Sequence, residues 1–144
     1  MLGYTDLVSV PIRENGEKFF VVQRALPGVI CRYEKQDMIP ILGERMLLRR
    51  GVIERLRKSQ ATLAKMIPGA RFRIVYAYRH PVVQERYFQR AMRIIRLHAP
   101  QLSPLALRKR AHLLVAVPEV AGHPTGGAVD LTITVSGRDL DMGT

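Results

Sequence analysis

The chain is poor in several things. It has a single cysteine, Cys31, so no internal disulfide can form and a secreted disulfide scaffold is excluded. Cys31 reads as a small buried hydrophobe rather than as a nucleophile. No apolar run approaches the length that spans a bilayer. The first residues, MLGYTDLVSVPIR, lack a basic segment followed by an apolar one and do not read as a signal peptide. A soluble, cytoplasmic protein with no membrane partner is therefore expected. Internal repeats and low-complexity segments are absent, and nothing divides the chain into two domains.

Acidic residues are also scarce, 12 against 23 Lys and Arg, for a net charge of +11. The imbalance is local. Residues 49–110 hold 16 of the basic residues and only 2 acidic ones, Glu54 and Glu85. Outside that stretch the chain is slightly acidic. A basic stretch can meet nucleic acid or an acidic protein segment. The 144 residues, 47% hydrophobic and 24% charged, suit one globular domain large enough to bury a core.

Residues 1–46 read as short strands and loops, with Phe19-Phe20-Val21-Val22 as a β-prone run between the turn signals Asn15-Gly16 and Pro27-Gly28. Leu48, Val52, Leu56, Leu63 and Ile67 share one face of a helix that Pro68-Gly69 ends. Phe72, Ile74, Tyr76 and Tyr78 alternate with Arg73, Val75 and Ala77 as a half-buried strand that Pro81 terminates. A second helix stacks Gln84, Phe88, Ala91 and Ile95. Ser103-Pro104 caps a short third helix running to about His112. Leu113–Val117 is apolar and strand-like, and residues 127–135 alternate as a last strand. This order predicts an α+β fold, helices packed on a mostly antiparallel sheet.

The chemistry concentrates in Gly122-His123-Pro124-Thr125-Gly126-Gly127-Ala128-Val129-Asp130-Leu131-Thr132. His123 precedes a strand, and Asp130 is expected inside it, opposite Val129, Leu131 and Ile133. A covered aspartate there needs a partner, and a metal ion is one candidate. Imidazole and carboxylate are both ordinary zinc ligands. Spacing alone does not separate this pattern from unconnected loop and surface residues.

The pattern of His, two residues, Gly, one residue, Ala, one residue and Asp resembles the zinc motif of the D-alanyl-D-alanine dipeptidases of the vancomycin-resistance type and related D,D-peptidases. Upstream, Tyr76-Ala77-Tyr78-Arg79-His80-Pro81, followed by Gln84, is similar to the strand end of that family that carries a substrate-binding arginine. Leu131-Thr132 and the Leu140–Thr144 run also resemble the dipeptidase branch. The resemblance runs from about Met46 onward. It implies a zinc D,D-peptidase-like fold, Zn2+ held by His123 and Asp130, and Arg79 facing the oxyanion of a peptide under attack. It further implies hydrolysis of D-Ala-D-Ala to two D-alanines in the complete enzyme, a small dipeptide being the substrate.

Four features depart from the family pattern. Ala121 stands where a serine helps hold the substrate. Ala77 replaces a glycine, and His80 intervenes between Arg79 and Pro81. Most consequential, no Glu-x-x-His follows Asp130, so the third zinc ligand and the general base are expected from a further C-terminal segment or a second chain. On that expectation residues 1–144 form a single incomplete domain that is inactive alone. His80, His98 and His112 read as structural or surface histidines. The alternatives are a D,D-carboxypeptidase or an L-Ala-D-Glu endopeptidase, a degenerate family member, or a non-catalytic basic binding protein. The spread of cations around both helices does not form the single stripe that nucleic-acid binding would favour.

Overall fold

The computed structural model describes residues 4–143. Thr144, the last residue of the run similar to the dipeptidase branch, lies outside them, as do residues 1–3 of the N-terminal segment. The element order is α1 (Tyr4–Val8), β1 (Phe19–Val21), α2 (Val22–Ala25), β2 (Ile30–Cys31), a 3-10 turn (Gln36–Met38), α3 (Ile39–Leu42), β3 (Leu47–Arg49) and α4 (Arg50–Met66). Then follow β4 (Ala70–Tyr76), α5 (Pro81–His98), α6 (Pro104–His112), 3-10 turns at Pro118–Val120 and His123–Thr125, β5 (Asp130–Val135) and β6 (Arg138–Asp139).

A four-stranded sheet in the order β2-β4-β5-β6 forms the scaffold. β2 runs parallel to β4, whereas β4–β5 and β5–β6 are antiparallel. β1 and β3 pair antiparallel in a separate ribbon. The chain thus mixes helices and sheets, as the alternation and helical spacing predict. β4 buries Ala70, Phe72, Ile74 and Tyr76 on one face, the period of two expected of a half-buried strand. α4 packs there through Ile53, Leu56 and Leu63. Gln60 fixes their relative height, donating to the Ala70 carbonyl at 3.1 Å and accepting from the Phe72 amide at 2.7 Å. Ser136 and Gly137, both at positive φ, make the tight turn between β5 and β6.

A second core lies between α5 and α6, built on Phe88, Ala91, Ile95, Leu107, Ala111 and Val117. Burying Phe88 completely contributes about 1.5–3 kcal/mol. The Ser103 hydroxyl accepts from the Ala106 amide, so α6 starts at the expected cap and proline.

Four expectations need correction. The first 46 residues contain the short helices α1, α2 and α3 as well as strands. Leu48 belongs to β3 and Ile67 caps α4, so the helical face is shorter than the spacing suggests. Leu113–Val117 forms no strand: Leu113, Leu114 and Val115 fold back on the end of α6 through bonds to Arg110 and Ala111 carbonyls. With the amide groups satisfied locally, no sheet edge is needed. Asp130 is the first residue of β5 rather than an interior one. No helix among the described residues is long and apolar enough to cross a membrane.

Candidate functional site

The site forms where β4 leaves the sheet and β5 enters it. Between Ile74 and Tyr76 the β4–β5 register shifts, so Tyr76 stands opposite Asp130. Such a bulge re-aims the side chains around it. The loop before β5 folds back over this point. His123 opens a 3-10 turn, and Gly126 closes it at φ +72°. Gly126 is required twice over, because a Cβ would also collide with the Phe19 ring.

The loop is clamped from the other side by Arg49. Its backbone amide donates to the Gly126 carbonyl at 3.1 Å and its Nε to the Thr125 carbonyl at 2.8 Å. The same guanidinium bonds the Glu17 carbonyl and the Glu14 carboxylate and lies over the Phe19 ring.

His123 is fixed at three atoms. Its carbonyl accepts from the amides of Arg79 and Gly126. Its ring stands edge-on to Tyr76, with centroids 5.6 Å apart. Its Nδ1 lies 2.7 Å from the Ala77 carbonyl oxygen. A carbonyl only accepts, so Nδ1 carries the hydrogen and the neutral ring presents Nε2 as a lone pair. That atom lies 3.3 Å from Oδ1 of Asp130. Two electron-pair donors so placed repel each other unless a cation joins them, either a proton on Nε2 or a metal ion.

The pair fits a metal on two counts. Two ligands about 2.0–2.1 Å from a tetrahedral zinc ion are themselves about 3.3–3.4 Å apart. A backbone carbonyl on the far nitrogen is the usual support of a metal-bound imidazole. The fit is to two ligands only: among the described residues no group of three His, Cys, Asp or Glu could hold a metal. Asp130 differs from its expected setting, since its side chain is 54% exposed. Burial therefore does not force it to find a partner. When Nε2 carries a proton, its hydrogen bond to Asp130 is the main cause holding the carboxyl below the usual carboxylate range, against a smaller opposing desolvation and with help from the charges of His123, Arg79 and Lys35.

Arg79 is the best-anchored cation in the molecule's interior, with 8% of its surface exposed. Its guanidinium lies between the rings of Tyr76 and Tyr87, 4.5 and 4.8 Å from their centroids. Nη1 donates to Gln84 Oε1 at 2.7 Å, and Gln84 Nε2 in turn donates to the Ala116 carbonyl at 2.7 Å. The buried Nε has no hydrogen-bond partner. An arginine stacked between two rings and bonded through Nη1 is held in one orientation, with its buried Nε left unpartnered.

Both stacking tyrosines end on one carboxylate. The Tyr76 hydroxyl donates to Asp37 Oδ1 at 2.9 Å and the Tyr87 hydroxyl to Oδ2. Asp37 and Tyr87 are absent from the sequence-based candidates. Asp37 lies 39 and 50 residues from its partners, and no local pattern marks it. Burial, then bonding to Asp37, raises the Tyr87 hydroxyl pKa to about 12.

The other histidines hold backbone. His80 caps α5 by accepting from the Val82 amide, His112 accepts from the Val117 amide, and His98 bonds the Ile94 carbonyl. Ala121 is buried and lines, with Pro124 and Thr125, a cavity of about 590 Å³ that reaches Arg49. A more open cavity of about 740 Å³ lies beside Asp130, bordered by Arg73, Thr132 and Asp139. Searches against family models, curated proteins and solved structures give no match for this chain.

Proposed function

We propose that the chain carries part of a zinc-dependent D-Ala-D-Ala dipeptidase site on a D,D-peptidase-like fold, with His123 Nε2 and an Asp130 carboxylate oxygen as metal donors and Arg79 as the carbonyl-binding cation. The observation that carries this is the placement of the His123 ring: Nδ1 lies 2.7 Å from the Ala77 carbonyl, which can only accept, and Nε2 lies 3.3 Å from Asp130 Oδ1. The chemistry zinc supplies in such sites is polarisation of a carbonyl and acidification of water.

This chain's own residues then do three things. His123 and Asp130 hold the ion. Arg79, stacked between two tyrosines, meets the negative charge that builds on the carbonyl oxygen. The Arg49 clamp and Gly126 keep the His123 loop from drifting. This reading still requires a third ligand and a general base beyond the pair, since no group of three metal-ligating side chains stands together among the described residues. In this reading the enzyme works in the cytoplasm on free dipeptide.

A related substrate is the second reading, favoured by Ala121. Its buried methyl offers no hydroxyl where the family pattern has one, so a D,D-carboxypeptidase or L-Ala-D-Glu endopeptidase specificity fits as well. The test is hydrolysis of D-Ala-D-Ala and of muropeptides by the 144-residue chain with added zinc. The expected result is zinc binding without turnover. Robust turnover by this chain would show that no further groups are needed.

A further inference from the structure

Leu113 and Leu114 read as strand residues but stand in solvent, 82% and 69% exposed. They do not stand alone. Two cavities of about 450 and 470 Å³ share Ile94 and Leu114, so together they form one furrow between α5 and the segment that follows α6. Its floor is Ala91, Ile94, Ile95, Ala99 and Val115. Leu97, 80% exposed, sits one turn along α5 from Ile94.

Every charged side chain lining the furrow is basic: Lys35 and Arg90 at one end, Arg110 at the other, with His98 beside it. None of the three cations makes an ion pair among the described residues. Glu85, the one acid on α5, is held by Gln89. Lys35 also lies over the Tyr87 ring, 5.1 Å from its centroid. A continuous apolar strip this exposed, rimmed by charge of one sign with no ion pair, marks an interaction surface rather than a solvated face. The furrow follows α5 from Tyr87 to His98, about 16 Å or three helical turns.

We infer that this furrow docks an amphipathic helix of a separate polypeptide. The partner presents Leu-type anchors along one stripe and Asp or Glu on the stripe's flanks. The apolar floor requires the anchors, and the basic rim requires the acids. Nucleic acid fits less well, because the one aromatic ring in the furrow, Tyr87, is already engaged by Asp37 and Arg79.

The test uses a labelled helical peptide of about 16 residues with leucines in one stripe and glutamates flanking them. Its control has the same composition with the leucines spread around the helix. Fluorescence anisotropy against the full chain should show saturable binding of the first peptide and binding at least about tenfold weaker for the second. Leu113→Ser with Leu114→Ser should abolish the preference. Both side chains are exposed, so folding is retained, and unchanged thermal unfolding checks this. Arg90→Glu with Arg110→Glu should reverse the preference for acidic over basic flanks. Equal binding of the two peptides, no saturable binding, or an unchanged preference in the leucine variant would overturn the inference. So would tighter retention of the chain on duplex RNA or anionic vesicles, lost through those same leucines, or self-association that closes the furrow.

Discussion

His123 Nε2 and Asp130 Oδ1 stand 3.3 Å apart although neither residue is held there by the other alone. The histidine is set by the Ala77 carbonyl behind it and by the Arg49 clamp on its loop. The aspartate is set by the register shift that puts it opposite Tyr76. Two independent supports converge on one point, where a proton on Nε2 or a metal ion would join the pair.

Removing the arginine's anchor should damage the fold as well as the site. Gln84→Leu leaves the Arg79 guanidinium and the Ala116 carbonyl without their buried partner. Each unsatisfied group costs about 1–3 kcal/mol. A lower urea midpoint with an unchanged slope is expected. An unchanged midpoint would mean that the two bonds are not made in solution.

The His123 loop depends on one glycine. Gly126→Ala places a Cβ at φ +72° and against the Phe19 ring. A cost of about 1–3 kcal/mol follows from the backbone strain alone. Phe19→Ala in the same chain should recover only the steric part. If the single substitution is neutral to thermal unfolding, the loop does not adopt this conformation.

Cys31 should be slow to react. Partial burial raises its thiol from the ordinary 9.0 to about 11. At pH 8 the thiolate is then about a hundredfold rarer than in an unfolded chain, and alkylation by iodoacetamide should slow accordingly. The sign for stability follows. A raised value means the folded state keeps the proton, so this contribution is complete below pH 9.0 and is lost as pH rises towards about 11. Equal alkylation rates for folded and urea-unfolded protein would contradict this.

Much of the scaffold is legible in the sequence, for local reasons. β4 alternates because one face is buried, α5 shows its buried stripe of Gln84, Phe88, Ala91 and Ile95, and Ser103 is a cap by chemistry. Leu113 and Leu114 mislead because apolar character alone does not distinguish a buried strand from an exposed surface strip. The candidate pair is legible through the His123 and Asp130 motif, and Arg79 through its strand end. Asp37, Tyr87 and the Arg49 clamp are not. Each acts through partners tens of residues away, and long-range pairing leaves no periodic trace.

The most direct measurement is the imidazole nitrogen spectrum of 15N-labelled protein during a zinc titration. The four histidines are separable by His→Gln variants. Zinc should move the Nε2 resonance of His123 while its Nδ1 stays protonated. The shift should vanish in Asp130→Ala and persist in His98→Gln and His112→Gln. Zinc that leaves His123 unmoved while shifting another histidine, or a response indifferent to Asp130→Ala, would contradict a shared metal at these two residues.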